Sequence, residues 1–526
     1  MKIKNILVVG GGSSGWMTAS ALTKYFGKKI NVSVVESEKS GPVGVGESTI
    51  IPFNRFLHLV GLNDEDWMRD CDATYKASIR FTDFSEIGKV FEYPFGGRVD
   101  ERGMGQWSML NAYFDNLDHN SFCEYFNDMY FLSKHNRLTR NEDRKLDFDF
   151  TKDTAYHFDA SLFGKYLKKN ICEPSGVKHF IDDIVSVEKD SSGYLTSVIG
   201  ESGKKYTADL YIDCTGFKSL LLEKEMNSEF ISYKPWLLND RAIATKIQYK
   251  DKETELNNVT NCSALSSGWV WNIPLWSRIG TGYVYSSDFI SDDDAEKEFK
   301  QYLGTDEVEF NKIQIRHGVR KNAWVKNVVG VGLSYGFIEP LESTGLVSTH
   351  AVIENLLELL SRRDLNVTAF DKDGFNYANQ QVLNGYRDFV SLHYRLSSRR
   401  DTPYWNYLVD EKDWVGIEDN REYENPQISH NISEKNFYKS LLYSHSFNHA
   451  WNSEKEGLVY VLAGMGHHPY GKFLYDKLMD NSENQLEQEK NLQEVMKQWR
   501  NHVRMAEEHV KTLPSTYEFM KNYIYN

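Results

Sequence analysis

The chain has 526 residues, of which 40% are hydrophobic and 14% aromatic, and its formal net charge is −14. So long a chain exceeds what one hydrophobic core usually holds, and we expect two or three lobes. The negative charge argues against nucleic acid and against an anionic membrane surface as partners. No window approaches the roughly eighteen consecutive apolar residues of a transmembrane helix, so no membrane contact is expected.

The first residues, MKIKNILVVGGG, enter a strand and a glycine turn directly, without the apolar region and cleavage site of a signal peptide. The five cysteines are odd in number and have no CxxC spacing. Reduced thiols in a cytoplasmic protein are the simplest interpretation, and no metal site is predicted.

A strand, a glycine-rich turn and a helix ending at Gly27 are predicted by KNILVVGGGSSGWMTASALTKYFG. INVSVVESE adds a second strand and completes a βαβ unit. The turn has GxGxxG spacing, which favours a dinucleotide pyrophosphate at the helix N-terminus, and a carboxylate after the second strand suits a ribose hydroxyl. The alternative is a turn that only packs helix on sheet. The predicted contacts are Gly10, Gly12, Ser13, Ser14, Gly15 and Glu36.

Two later segments favour FAD over a nicotinamide cofactor. YIDCTG, with Asp213 and Gly216, is typical of a second flavin-contacting strand, and VVGVGLSYGF, with Gly332 and Leu333, of a strand returning to the flavin. The sequence has no second strand, GxGxxG turn and helix for a nicotinamide nucleotide. We therefore expect FAD, reduced by a separate NAD(P)H-dependent flavin reductase.

Two segments with alternating side chains predict further strands. TYKASIRF puts Lys76, Ser78 and Arg80 on one face; with 61 Lys and Arg in the chain, a solvated lysine is the default interpretation. GWVWNIP puts Trp269 and Trp271 on one face and ends at a proline. These two tryptophans are either core anchors or the aromatic wall of a site.

A strong helix is predicted near residues 344–362 by FIEPLESTGLVSTHAVIENLLELL. Ser343 is expected as its N-cap, which leaves the amides of Thr344 and Gly345 without intrahelical partners. Such free amides favour an anion, although an ordinary capped helix is the commoner case. Glu342, just before the cap, is either an acid/base group or a plain surface carboxylate.

Five segments together resemble the flavin-dependent halogenases of the tryptophan-halogenase superfamily. WVWNIP matches the WxWxIP motif of that family, and FIEPLESTG matches its FxxPxxSxG motif. GVGEST resembles its flavin strap, CDATYKASIRF the segment of its essential lysine, and HYRLSSRRDTPYW a further stretch. The matching residues are Trp269, Trp271, Ile273 and Pro274 in the first motif, Phe337, Pro340, Ser343 and Gly345 in the second, Glu47 in the strap, and Lys76.

The resemblance implies an α/β, Rossmann-type FAD-binding fold of the flavoprotein monooxygenase kind, with an added, mostly helical C-terminal substrate region. Residues 1–360 are then the FAD-binding core, with substrate-side insertions at roughly 80–150 and 220–320, and residues 361–526 the helical region. The implied flavin contacts include Glu47, Ile184, Asp213, Gly216, Gly332, Leu333 and Leu346 beside the glycine turn.

The resemblance also implies a mechanism. Reduced FAD and O₂ oxidise a halide, which is chloride, bromide or iodide and is held at Ser343, Thr344 and Gly345. Hypohalous acid then passes through an internal tunnel to Lys76, which hydrogen-bonds it or forms a haloamine. Glu342 strengthens that polarisation or accepts the ring proton. Residues implied along the tunnel and the substrate site are Tyr93, Phe95, Trp269, Trp271, Ile273 and Pro274.

Departures from the family pattern limit which substrates can be expected. Tryptophan-acting members tend to have His-Pro-Phe where this chain has Tyr93-Pro94-Phe95, and their amino-acid clamp is not found in SFNHAWNSEKEGLVYVLAGMGHHPY. We therefore expect a free indole, phenol or other small electron-rich aromatic. An aromatic hydroxylase is the first alternative, although Gly332-Leu333 replaces the usual Gly-Asp pair, and a non-catalytic flavin-binding protein is the second. A homo-oligomer is compatible with the sequence.

Overall fold

The computed structural model describes residues 1–38, 44–97, 99, 101–114, 117–412, 455–466 and 485–526. The strands, in chain order, are β1 (Asn5–Val9), β2 (Asn31–Glu36), β3 (Glu47–Ser48), β4 (Thr74–Lys76), β5 (Ser78–Thr82), β6 (Val90–Pro94), β7 (Ala155–Phe158), β8 (Lys178–Ile181), β9 (Ile184–Lys189), β10 (Leu195–Gly200), β11 (Lys205–Tyr206), β12 (Leu210–Asp213), β13 (Phe230–Ser232), β14 (Arg241–Ile247), β15 (Val259–Ala264), β16 (Gly268–Pro274), β17 (Ile279–Tyr285), β18 (Asn311–Gln314), β19 (Gly318–Arg320), β20 (Trp324–Val325), β21 (Val328–Gly330) and β22 (Gly336–Phe337).

The helices include both the predicted first helix and the helix after the FIEPLESTG segment. In chain order they are α1 (Ser13–Phe26), α2 (Phe53–Val60), α3 (Asp64–Trp67), α4 (Glu101–Phe114), α5 (His119–Phe126), α6 (Met129–His135), α7 (Phe150–Asp153), α8 (Ala160–Leu167), α9 (Lys252–Glu255), α10 (Asp292–Leu303), α11 (Thr344–Arg362), α12 (Ala369–Arg395), α13 (Pro403–Asn406), α14 (Lys455–Gly464), α15 (Gln485–Val510) and α16 (Thr516–Met520).

A six-stranded sheet, ordered β20-β21-β12-β1-β2-β8, forms the first layer. β21, β12, β1, β2 and β8 run parallel to one another, and only β20 is antiparallel to its neighbour. Helix α1 links β1 to the parallel strand β2 and ends at Gly27, so the predicted βαβ unit is confirmed. The carboxyl ends of β1, β2 and β12 meet at one edge, where open α/β sheets bind their ligands.

A seven-stranded sheet, ordered β18-β14-β17-β16-β15-β5-β6, forms the second layer and contains the tryptophan strand. Trp269 and Trp271 lie on one face of β16, as the alternation predicts, with ring centroids 6.2 Å apart. A Cβ on Gly282, opposite Trp271, would overlap the indole, so the glycine makes room for the ring. Val270, on the other face, packs into a separate cluster with Tyr283.

The strand predicted for TYKASIRF is interrupted, so that part of the prediction is wrong. β4 pairs with β7, whereas β5 pairs with β6 and β15, and Ala77 lies between the two strands. The backbone of Ala77 is hydrogen-bonded to Asn258 and Phe95, at 2.7 and 2.9 Å. Lys76 and Ser78 therefore belong to different sheets, and Lys76 stands at the junction between them.

Helices dominate the described part of the chain after residue 365, as predicted, with α12, α14, α15 and α16. Helix α15 packs against α4, α5 and α6. The chain end returns to the second layer, because Tyr525 stacks on Trp276 with ring centroids 4.1 Å apart. In the ranges given above, none of the helices combines the length and apolar character needed to cross a membrane. The boundary at residue 360 stays a prediction.

Candidate active site

The glycine turn, residues 10–15, has the geometry that a bound pyrophosphate needs. Gly10 has a φ of +108°, and a Cβ there would overlap the carbonyl oxygen of Cys214. A Cβ on Gly15 would overlap the carbonyl oxygen of Gly10, so this glycine allows α1 to pack closely on the sheet. A Cβ on Gly12, in contrast, would meet no atom within 4 Å. The three positions thus match a tight turn, close packing and an open approach for a ligand.

Glu36 lies beside this turn at the end of β2. Its carboxylate accepts a hydrogen bond of 2.7 Å from Nε2 of His179, and a Cβ on Gly11 would overlap it. A carboxylate held at this edge, next to the helix N-terminus, fits the ribose of a dinucleotide. The backbone of Glu36 also accepts a hydrogen bond of 2.9 Å from the amide of Asp182, which brings the start of β9, with Ile184, toward the same edge.

The strand predicted to return to the flavin reaches the glycine turn. Gly332 has a φ of +69°, and a Cβ there would lie 2.9 Å from Cβ of Ser14. The carbonyl oxygen of Leu333 accepts a hydrogen bond of 3.2 Å from the buried guanidinium of Arg320. Gly332 and Leu333 are therefore held at the mouth of the turn, where they fit a contact with a bound cofactor.

Asp213, at the end of β12, uses its carboxylate within the protein. The backbone amides of Leu221 and Leu222 donate to it at 2.8 Å, and the Thr215 hydroxyl donates at 2.6 Å. The carboxylate thus fixes the chain after β12, close to Gly216, which has a φ of +68°. A direct cofactor contact of Asp213 stays a prediction.

The predicted strap segment lies across the second layer. Glu47 begins β3, and burial together with the charge of Asp159 raises the pKa of Glu47 to about 7. A Cβ on Gly46 would lie 3.3 Å from Cγ2 of Ile273, so the strap lies against the tryptophan strand.

Lys76 is fully buried, so the default interpretation of a solvated lysine is wrong. Its Nζ donates to the carbonyl oxygen of Thr49 at 2.8 Å and to Oγ of Ser343 at 2.9 Å. The same atom lies 5.0 Å from the ring centroid of Phe95. Burial lowers the pKa of Lys76 to about 7, because the charged form loses its hydration and the opposing effects of Cys262 and Glu342 only partly compensate.

Glu342 is buried with an exposed fraction of 1%, so the interpretation as a surface carboxylate is also wrong. Its Oε1 lies 2.8 Å from Nε2 of His393, which is fully buried too. Burial raises the pKa of Glu342, while His393 and Lys76 oppose the shift. His393 was not singled out from the sequence; the only signal for it was its place at the start of the HYRLSSRRDTPYW stretch.

Ser343 precedes α11, but its hydroxyl does not cap the helix, so the expected capping role is wrong. Ser343 has a φ of 56°, in the left-handed region, and its hydroxyl accepts from Lys76 and donates to Oγ of Ser48 at 3.0 Å. The amides of Thr344 and Gly345 lie in the first turn, where no intrahelical acceptor exists. A Cβ on Gly345 would meet no atom within 4 Å. The loop of residues 343–345, which we call the halide loop after its predicted ligand, can therefore receive an anion.

The tryptophan strand is joined to the segment before the halide loop. The indole Nε1 of Trp269 donates to Oε2 of Glu339 at 2.9 Å, and Asn239 donates to the same oxygen at 2.8 Å. Glu339 is fully buried and lies in FIEPLESTG. At the end of β16, the carbonyl oxygen of Pro274 accepts from the Thr74 hydroxyl at 2.6 Å. Sequence reasoning missed Glu339, because a buried glutamate is not distinguishable from a solvated one by spacing.

Tyr93 and Phe95 form an aromatic cluster next to Lys76. Their ring centroids are 5.3 Å apart in an edge-to-face arrangement, and Tyr93 stacks on Tyr460 of α14 at 5.9 Å. Both residues are buried, with exposed fractions of 2% and 0%. Of the segment searched for an amino-acid clamp, residues 455–466 are described, and the rest lies outside the described residues.

The predicted site residues thus form two groups. The glycine turn, Glu36 and the Gly332 turn meet at the edge of the first sheet. Lys76, Glu342, Ser343 and Phe95, which we call the lysine cluster, are tied together by the contacts given above. The halide loop shares Ser343 with the lysine cluster, and the tryptophan strand reaches the strand of Lys76, because Pro274 accepts a hydrogen bond from Thr74 of β4.

Comparisons with known proteins agree with this arrangement. The family model described as tryptophan halogenase matches residues 5–469. The tryptophan 6-halogenase of Streptomyces toxytricini is 36% identical over 423 residues, which are 76% of this chain and 80% of that protein. The tryptophan 7-halogenase of Lentzea aerocolonigenes is 33% identical over 420 residues, or 77% of this chain and 78% of that protein.

Solved structures give the same result for the fold. The structure of VirX1 in its apo form has 43% sequence identity and a TM-score of 0.88, covering 100% of this chain and 99% of its own. The crystal structure of the Streptomyces toxytricini enzyme has a TM-score of 0.83 and covers 98% of this chain and 99% of its own. The Rossmann-type FAD-binding fold with a helical C-terminal region is therefore confirmed, and the chain belongs to the tryptophan halogenase family of flavin-dependent halogenases.

Proposed function

We propose that this enzyme uses reduced FAD, O₂ and a halide to make hypohalous acid and to halogenate a free electron-rich aromatic of the indole or phenol type. The observation that carries the proposal is the buried amine of Lys76, which bonds to Ser343 of the halide loop at 2.9 Å. A lysine is rarely buried without a charged partner in direct contact unless its amine has a chemical role.

The glycine turn, Glu36 and the Gly332 turn would hold FAD, with the pyrophosphate at the N-terminus of α1. Bound reduced FAD supplies, together with O₂, the two-electron oxidation of the halide. A separate NAD(P)H-dependent flavin reductase provides the reduced cofactor. The single glycine turn of this type among the described residues supports a reductase on a separate chain.

The halide loop binds the halide at the amides of Thr344 and Gly345, where the dipole of α11 adds to the attraction. The open side of Gly345 leaves room for an ion of any of the three halides. Trp269 and Trp271 form the wall that keeps the organic substrate away from the flavin. Glu339 holds that wall through the indole nitrogen of Trp269.

Lys76 receives the hypohalous acid. As an ammonium it donates its third N–H to the oxidant; as a neutral amine it displaces hydroxide from the halogen, and the amine proton leaves with that hydroxide as water to give a haloamine. A pKa of about 7 makes both forms available near neutral pH. The ring then takes the halogen, and Glu342 accepts the ring proton, which its raised pKa favours.

Tyr93 and Phe95 border the substrate side of Lys76. The named relatives are tryptophan halogenases, and an indole substrate fits that relationship. Tyr93 in place of the histidine of tryptophan-acting members supports a free indole or phenol other than tryptophan itself. We also propose a cytoplasmic location.

The test is product mass spectrometry with FAD, NADH, a generic flavin reductase and O₂, supplying chloride, bromide or iodide separately. The substrates are a panel of indoles and phenols that includes tryptophan. Lys76→Ala is run beside Lys297→Ala, which removes an exposed lysine. We expect a halogen mass shift that Lys76→Ala loses and Lys297→Ala keeps. A gain of one oxygen that is independent of both halide and Lys76 would instead identify a hydroxylase.

A further inference from the structure

A continuous chain of buried hydrogen bonds leads away from Lys76 and ends at the tryptophan strand. Ser343 accepts from Lys76 and donates to Ser48 at 3.0 Å. Ser48 and Thr260 are joined by a hydroxyl contact of 2.7 Å, and Oγ1 of Thr260 lies 2.8 Å from Nε2 of His157. All of these side chains are at least nine-tenths buried, away from bulk water.

The contact between Thr74 and Pro274, at the far end of this series of hydrogen bonds, fixes the direction of every hydrogen bond in the series. Oγ1 of Thr74 lies 2.6 Å from the carbonyl oxygen of Pro274. A carbonyl can only accept, so the proton of the Thr74 hydroxyl points to Pro274. Nδ1 of His157 lies 3.1 Å from the same hydroxyl oxygen and must therefore donate to it.

Burial and the nearby charge of Lys76 hold the pKa of His157 well below its usual range, so the ring is neutral. A neutral imidazole that carries its proton on Nδ1 has a bare Nε2, which accepts from Thr260. Thr260 then has no proton left for Ser48, so Ser48 donates to Thr260. By the same reasoning Ser343 donates to Ser48, as the geometry at that contact also indicates.

The consequence for Lys76 follows at once. Ser343 has only one proton, and that proton points to Ser48, so toward Lys76 its hydroxyl can only accept. The carbonyl oxygen of Thr49 also only accepts. Lys76 must spend two N–H groups on these acceptors. Its remaining position, an N–H in the ammonium or the lone pair in the neutral amine, is left for the reacting species.

We propose that His157 and Thr260 are positioning residues for Lys76, because the tautomer of His157 orients the hydroxyl chain so that Ser343 cannot donate to the lysine and block its lone pair. This inference rests on the proposed function for its catalytic consequence. Its structural part does not, since the tautomer and the direction of the chain are properties of the resting protein.

The structural part is tested by nitrogen NMR of the full-length protein labelled with ¹⁵N in histidine, without FAD or substrate. His157→Gln identifies the resonances by their loss. We expect a neutral ring with a protonated Nδ1 and a bare Nε2 at neutral pH. A proton on Nε2, or a charged ring, would overturn the proposal whether or not the enzyme halogenates anything.

The catalytic part is tested by a pair of substitutions at Thr260. Thr260→Val removes the acceptor for Ser48, so Ser48 turns to Ser343 and Ser343 can donate to Lys76. Thr260→Ser keeps the hydroxyl. We expect Thr260→Val to lower kcat about tenfold or more at unchanged KM, and Thr260→Ser to restore most of the rate, because small errors in the position of a reacting group have effects of this size.

Two outcomes would count against this role. Full activity of Thr260→Val would show that the direction of the chain does not matter. A loss that is equal in Thr260→Val and Thr260→Ser would assign Thr260 to packing alone. Thermal unfolding of both variants checks that each is folded, and if the unaltered protein does not halogenate, the proposed function fails while the NMR result still decides the tautomer.

Discussion

The glycine turn and the lysine cluster are built in different ways, one from backbone and one from side chains. At the turn, Gly10 and Gly15 leave no room for a Cβ, and Gly12 leaves space for a ligand. In the lysine cluster, polar side chains come together from segments far apart in the chain, such as Lys76 and Ser343, which are 267 positions apart.

This difference explains what each region tolerates. A turn defined by its backbone is sensitive to any added side chain, and damage there removes the cofactor and everything that depends on it. A cluster defined by side chains can lose one polar group and keep its fold, because the surrounding strands are fixed by their own ladders. The two halves of the proposed reaction should therefore be separable by single substitutions.

Gly12→Val is expected to have the largest effect. Gly12 has a φ of −74°, which valine accepts, and a Cβ there meets no protein atom within 4 Å. The new side chain would occupy the place of the pyrophosphate, so we expect FAD affinity to fall about 100-fold or more, equal to about 2.7 kcal/mol, with the thermal stability of the free protein unchanged. Flavin fluorescence titration and thermal unfolding measure the two quantities. Unchanged affinity would remove the glycine turn from the cofactor site.

Lys76→Met is the corresponding substitution in the lysine cluster. It removes the amine and keeps most of the side-chain volume, so we expect product formation to fall about 10³-fold or more, as for other groups that react with substrate or oxidant. FAD affinity should stay within about twofold, since Lys76 lies in the other half. Product mass spectrometry and flavin titration on the same preparation test the separation. A parallel loss of FAD affinity would show that the halves are coupled.

The same difference between the glycine turn and the lysine cluster determines how much of each could be predicted from the sequence. The GxGxxG turn, the βαβ unit and the strand of Trp269 were predicted correctly, because their signals lie in neighbouring residues. Lys76, Glu342 and Ser343 are singled out in the sequence by their motifs, but the motifs do not predict their environment. Burial of Lys76 and Glu342, and the hydroxyl of Ser343 turned away from the helix it precedes, depend on residues brought in by the fold.

His393, His157 and Glu339 show the limit of local reasoning most clearly. Each is a buried polar residue whose partner is remote in sequence, so spacing contains no information about it. A histidine or glutamate in a strand or loop is usually solvated. Only the sheet packing that places His157 against Thr260, or Glu339 against Trp269, gives these residues a role.

Glu342→Gln separates the oxidation of the halide from the proton transfer proposed for the lysine cluster. The amide keeps the shape of the side chain but cannot accept a ring proton, so we expect kcat to fall about 10²-fold, in the range of general acid–base catalysis. The release of hypohalous acid, measured with a diffusible trap, should continue at the original rate, because in the proposed order the halide is oxidised before Glu342 accepts the ring proton. A loss of trapped oxidant would assign Glu342 to the earlier step.

Glu339→Ala tests the proposed wall of Trp269 and Trp271 and should have a smaller effect on product formation. The change leaves the buried donors of Trp269 and Asn239 without their acceptor, which costs about 1–3 kcal/mol of unfolding free energy for each unpaired group. We expect product formation to fall about tenfold, because a misplaced indole would disturb the proposed wall between flavin and substrate. Glu339→Gln, which keeps an acceptor oxygen at the same place, is the matched control. It should retain most of the stability and most of the product formation. Equal losses in the two variants would show that the negative charge, rather than the hydrogen bond to Trp269, matters.

Stability as a function of pH tests the burial of Lys76 without any catalysis. The pKa of Lys76 is about 7 in the folded protein, against a usual value of 10.5. Between these values the unfolded chain binds more protons than the folded one, so the free energy of unfolding rises with pH, by at most about 1.4 kcal/mol per pH unit. Other titrating groups cancel when Lys76→Met is subtracted. Urea unfolding at pH 7, 8 and 9 should therefore show the unaltered protein gaining stability relative to the variant. If the difference in unfolding free energy between the two proteins stays constant, Lys76 is charged in the folded state throughout this pH range. The neutral amine needed to form a haloamine would then be absent. The ammonium could still donate a hydrogen bond to hypohalous acid.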